Sequence, residues 1–194
     1  MIIRKDQLKL VAETNSILNT PPSEYVFDDL DSARLFANLL FTRMKELGGV
    51  GLSANQVGVN AKVFVMGIDE VKLFIFNPII ISHSKKETNF NEGCLSFPGI
   101  TLDVKRPETI EVRFQNENGE VVEQVLSGLT ARIFQHEYDH MMGNTFKKHV
   151  SPMKWAMAVK KFKHKKEKIV KKHASKIVLD ILKDAHNNAS EVSR

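Results

Sequence analysis

The segment Gln135-His-Glu-Tyr-Asp-His140 constrains this chain more than any other. On an α-helix, positions four apart lie on one face, so His136 and His140 can reach one metal ion and Glu137 stands beside it, placed to act on water. That reading requires a helix from about Ser127 or Gly128 to Met142, with Gly143 as its C-terminal stop. The amphipathic pattern there agrees. The same motif also arises in helices that bind nothing, where the histidines only cap or pair, so its context decides.

A catalytic metal needs three protein ligands and one open position. The third could be a carboxylate, a histidine or Cys94, the chain's one cysteine. A lone cysteine makes no internal disulfide and is either a small buried hydrophobe or a chemically used thiolate. Cys94 lies in Asn91-Glu-Gly-Cys-Leu-Ser-Phe-Pro98, after a glycine that lets the backbone bend sharply. With two histidines waiting for a partner, the thiolate is the better reading. A zinc protease of another kind would draw on His149 or Glu167 downstream. Neither explains the Cys94 segment, nor the glycine-rich stretch Gly49-Val-Gly-Leu-Ser-Ala-Asn-Gln-Val-Gly58.

The remaining pattern predicts an α+β fold of mostly antiparallel sheet. A first helix is expected over 31–47, capped by Asp31 or Ser32. Leu35, Leu39, Leu40, Met44 and Leu47 form its apolar face, and Gly48-Gly49 stop it. Residues 62–68 and 72–81 read as strands, with Pro78 putting the second at a sheet edge or end. Residues 109–115 alternate as Ile110, Val112 and Phe114. Asn118-Gly119 is a hairpin turn signal, and 121–126 is the return strand.

The net charge of +5 hides an asymmetry: residues 147–176 hold twelve Lys and one Glu, a net +11, which leaves 5 − 11 = −6 for the rest. A basic tail on an acidic body suggests an acidic partner such as nucleic acid, or else a solvated amphipathic helix. A binding module led by that tail would leave the motifs above without purpose. From Ser151 to about Asp184 the tail has no Gly, and Trp155, Val159, Phe162, Ile169, Val170, Ile177, Val178 and Ile181 fit a helical period. Pro152 stands where a first-turn proline would, and the last ten residues are expected to fray. No run of 18 apolar residues indicates a membrane span, and the N-terminus lacks the apolar core of a secretory signal. A cytoplasmic globular chain is expected, with 1–155 as the catalytic domain and 156–194 as an extension that is not an independent domain.

Three motifs in order resemble the peptide deformylase family: Gly49-Val-Gly-Leu-Ser-Ala-Asn-Gln56, Glu92-Gly-Cys-Leu-Ser96 and Gln135 to His140. The resemblance covers roughly residues 8–155. It implies antiparallel sheets around a central helix bearing His136 and His140, and removal of the N-formyl group from newly made polypeptides. It implies Cys94, His136 and His140 as metal ligands and Glu137 as general base and acid. Gln56 and the Leu95 N–H would be donors to the formyl oxygen, and Val50, Gly51 and Gly93 the backbone that holds the peptide as an added strand. The implied metal is Fe²⁺, with Zn²⁺, Ni²⁺ or Co²⁺ able to replace it. The implied substrates are N-formylated nascent peptides, taken by a monomer, with ribosome or RNA contact through the basic tail. Two positions depart from the family pattern, as does the long lysine-rich tail after about Trp155. Ser53 replaces an Ala, and Arg132 stands at a substrate-binding position that is apolar in many members.

Overall fold

The computed structural model describes the backbone of residues 5–67 and 71–191, and the side chains of residues 6–67, 71–173 and 176. It divides into two compact units, Met1–Ser151 and Pro152–Arg194.

In the first unit, helix α1 spans Leu30–Glu46. Its cap is Asp29, whose carboxylate accepts from the Asp31 and Ser32 amides, so neither Asp31 nor Ser32 takes that role. Asp29 has the extended backbone that a cap requires, while Asp31 is already helical. The buried face is Ala33, Phe36, Ala37, Leu40 and Met44, whereas Leu35 is 49% exposed. The small alanines set the stripe, because they let the helix lie close to the sheet. The helix ends as expected, with Gly48 and Gly49 donating back to Lys45 and Met44.

Five antiparallel strands form a sheet in the order β1-β2-β3-β6-β7: β1 (Gly51–Ser53), β2 (Val63–Met66), β3 (Leu73–His83), β6 (Thr109–Gln115) and β7 (Val121–Ser127). Between β3 and β6, β4 (Glu87–Gly93) and β5 (Thr101–Pro107) make a separate two-stranded ribbon. Val63 and Val65 of β2 join Phe74 and Phe76 of β3 in one core cluster with α1. Phe64, Met66 and Ile75 point the other way, into a second cluster with helix α2 (Gly128–Met141). A sheet covered on both faces by helices explains the unbroken apolar run of β2. In the second cluster Phe134 of α2 meets Phe64 edge-on at 5.1 Å between ring centroids.

From Pro78 onward β3 is an edge, as expected, although its first residues pair on both sides. Pro78 falls in a register shift between Phe76 and Ile79, beside Asn77 at φ 49°. Pairing with β2 stops at Phe76 and pairing with β6 skips from Phe76 to Ile79, so Pro78 is paired in neither ladder and its missing N–H costs no ladder bond. The β6–β7 hairpin turns at Asn118-Gly119 as expected, with the Gly119 amide donating to the Asn116 carbonyl.

The second unit is one helix, α3 (Pro152–Glu191), which starts at the expected proline. It runs past Asp184 through most of the ten residues expected to fray, since neither Gly nor Pro interrupts it. Ile177, Val178 and Ile181 lie outside the described side chains. Among the described residues, no helix is long and apolar enough to cross a membrane.

Candidate metal centre

Three elements converge on one buried place. Helix α2 carries His136, Glu137 and His140, and the turn after β4 carries Cys94, whose carbonyl accepts from the Phe97 amide at 2.9 Å. A short 3-10 helix after β1, Ala54–Val57, carries Gln56. Cys94, His136 and His140 each offer one ligand atom, and these atoms lie within 4.8 Å of one another. Cys94 Sγ is 3.5 Å from His140 Nε2. All three residues are buried.

The orientation of His136 is fixed from behind. Its Nδ1 lies 2.9 Å from Glu92 Oε2. Burial works against a charge on Glu92, yet the hydrogen bonds from His136 and Arg106 and the Arg106 charge hold its carboxyl down to about 2. Glu92 is therefore the acceptor and His136 Nδ1 the donor, which leaves Nε2 for the space shared with Cys94 and His140. A carboxylate behind an imidazole is the usual outer support of a metal-binding histidine. Arg106 closes on Glu92 with two donors, at 2.7 and 3.0 Å, and pairs with Asp139 at 2.8 Å. His149 sits on Asp139 at 2.7 Å, so the histidine that a different zinc site would need is engaged elsewhere.

The donor set, one thiol and two imidazoles, fits a divalent transition metal. Burial opposes a charge on His136, but Cys94 and Glu92, hydrogen-bonded to it, and nearby Glu137 carry its pKa up to about 10. Surroundings that draw positive charge onto an imidazole also favour a cation. Burial, with the charge of His136, holds His140 down at about 3, so its lone pair is free to ligate. Glu137 Oε2 is buried without a protein partner, a polar atom suited to a group from outside.

Glu137 is 4% exposed, and burial pushes its carboxyl up to about 7, a value suited to taking and returning a proton. Gln56 is held in one orientation. Its Oε1 accepts from the Ser53 amide and the Ser53 hydroxyl, both at 2.9 Å. Its Nε2 then points to Ser96 Oγ at 3.0 Å and Cys94 Sγ at 3.5 Å. Asn55 beside it donates to the His140 carbonyl at 2.9 Å and ties this turn to the end of α2.

Gln56, Cys94, His136 and Glu137 floor a cavity of about 560 Å³. Val50, Gly51, Gly93, Leu95 and Arg132 line it, with Phe90 and Leu129 half-exposed at its rim. The Val50 carbonyl is already taken by the Gly67 amide at 2.9 Å, on the β2 side. Successive residues of a strand face opposite ways, so the main-chain groups of Gly51 face away from β2. Arg132 borders the cavity, but its guanidinium is bonded within the protein, to Glu92, Val104 and Thr88. Sequence reasoning missed the roles of Arg106, Asp139, Asn55 and Ser53. The available signal was Arg106 itself, which continues the buried alternation of Leu102 and Val104 on β5. A charge on a buried face demands a partner.

A glutamate beside two imidazoles and opposite a thiol is equipment for splitting a bond with water, which places the chain among metal-dependent hydrolases. Comparison with known proteins narrows that class. The polypeptide deformylase family model matches residues 7–156. The peptide deformylase of Thermotoga petrophila is 42% identical over 118 residues, 61% of this chain and 72% of its own length. That of Aquifex aeolicus is 36% identical over 159 residues, covering 79% of this chain and 93% of its own. Among solved structures, a peptide deformylase from Synechococcus elongatus in complex with actinonin superposes with a TM-score of 0.75 at 33% identity, over 83% of this chain and 88% of that one. The chain belongs to the peptide deformylase family, metalloenzymes that remove the N-formyl group from nascent peptides.

Proposed function

We propose that Cys94, His136 and His140 hold one divalent metal, Fe²⁺ in the cell and replaceable by Zn²⁺, Ni²⁺ or Co²⁺. The reaction is hydrolysis of the formamide at the N-terminal formyl-methionine of a new polypeptide. The observation that carries this reading is the convergence of one thiol and two imidazole ligand atoms within 4.8 Å, beside a glutamate raised to about 7. Bound there, the metal supplies Lewis acidity.

The chain's own groups do the rest. Glu137 takes a proton from the attacking water, whose oxygen adds to the formyl carbon. The Gln56 amide and the Leu95 N–H donate to the formyl oxygen as it gains charge. Glu137 returns the proton to the departing nitrogen, the C–N bond breaks, and formate leaves a free N-terminus. The extended peptide lies between Gly51 of β1, an outer strand of its sheet, and Gly93 of β4, pairing through main-chain groups. Val50 borders it, and Arg132 borders the place of the first side chain. Main-chain pairing accepts varied sequences, as a general processing enzyme requires.

The basic helix α3 is proposed to contact the ribosome or RNA, and the enzyme to act as a cytoplasmic monomer. Support for the contact is the net charge of +11 over residues 147–176, since lysines act on phosphate as point charges. The deciding assay loads the protein with Fe²⁺ without oxygen and offers it formyl-Met and acetyl-Met peptides, with the released acid measured. Formate should appear from the first and almost no acetate from the second. Equal turnover of both would overturn the reading.

A further inference from the structure

Arg132 stands one turn before His136 on α2, with its side chain buried at 6% exposure. Its two terminal nitrogens reach across both strands of the β4–β5 ribbon. Nη1 donates to Glu92 Oε1 and to the Val104 carbonyl, each at 3.1 Å. Nη2 donates to the Thr88 carbonyl at 2.6 Å and to Thr88 Oγ1 at 2.9 Å. The other Glu92 oxygen carries His136, and Cys94 lies two residues beyond Glu92. One fork thus joins the helix that bears the imidazoles to the ribbon that bears the thiol.

We propose that Arg132 is a positioning residue for the metal centre, fixing the ribbon against α2 so that Cys94 faces His136 and His140. This rests on the assignment of those three residues as ligands. A buried ion pair contributes little net stability, because desolvation offsets its attraction, so stability alone does not account for a guanidinium here. What a planar fork supplies is geometry: several donors at fixed angles, each meeting a different part of the ribbon. Neither methionine nor lysine reproduces that, since one carries no donor and the other only a point charge.

The test is made on the full chain loaded with Co²⁺, without peptide. Two quantities are read: the affinity for Co²⁺ by competition with a chelator, and the thiolate-to-cobalt charge-transfer absorption, which reports Cys94 at the metal. In Arg132→Met the affinity should fall ~10- to 100-fold, the usual effect of losing an outer support. The charge-transfer band should weaken or shift, with far-ultraviolet circular dichroism unchanged. Arg132→Lys should lie between, and carries the same comparison if the methionine variant does not fold. Affinity and band equal to those of the unaltered chain would overturn the proposal. An unaltered chain with no thiolate band would instead refute the ligand assignment itself.

Discussion

Gly51 and Glu137 occupy adjoining space: a Cβ on Gly51 would overlap a carboxyl oxygen of Glu137 and stand 2.9 Å from its carboxyl carbon. Close approach, not a turn, is what requires glycine in β1. Gly51→Ala should push the glutamate out of line, lowering kcat ~10-fold or more while the metal content stays whole. A loss of that size is small beside the ~100-fold reach of a general base. Steady-state kinetics with metal analysis of the same sample checks it, and unchanged kcat would mean that Glu137 has room to spare.

Removing the carboxyl altogether separates proton transfer from metal binding. Glu137→Ala should keep one metal per chain and lose at least ~100-fold in kcat, the scale of a lost general base. Turnover near that of the unaltered enzyme would place the base elsewhere.

Cys94→Ala leaves two imidazoles, too few for a stable catalytic site. The expected result is protein that folds but retains little metal after gel filtration against a chelator. Full metal content in that variant would show that sulfur is not a ligand.

The end of α2 offers a test of the fold rather than the chemistry. Gly143 has φ 64°, and a Cβ there would stand 2.7 Å from the Pro21 nitrogen and 2.8 Å from the Thr20 carbonyl carbon, both main-chain atoms. Gly143→Ala should lose about 2 kcal/mol or more, combining backbone strain with a clash that main chain cannot relieve. Urea unfolding measures it.

A chain ending at residue 155 should still hydrolyse a small formylated peptide. It should lose co-sedimentation with ribosomes, and binding by the full chain should fall steeply across a salt series as counterions are released. Equal binding by both forms would remove the proposed role of α3.

The sequence was most readable where chemistry demands fixed spacing. His136 and His140 needed one helix face, and α2 provides it between Ser127 and Gly143. The β6–β7 hairpin was equally plain from alternation and its Asn-Gly turn. The β4–β5 ribbon went unseen because Glu87–Gly93 is mostly polar and exposed, with Glu92 its buried position. That burial depends on Arg106 and Arg132, two partners distant in the chain, which no local period reveals. Leu35 misled for a related reason: α1 faces the sheet with Ala33 and Ala37, so close packing outweighed side-chain size.

Past Pro78, β3 has β6 on one side only, and Ile79 and Ile81 there are 50% and 42% exposed. A bare row of amides beside exposed isoleucines would invite a neighbouring molecule to add a strand. Two register shifts, the first of them at the proline, bend the strand along that row. The irregularity of β3 therefore works as a guard on solubility: it lets the sheet carry apolar residues in water without becoming a seed for aggregation.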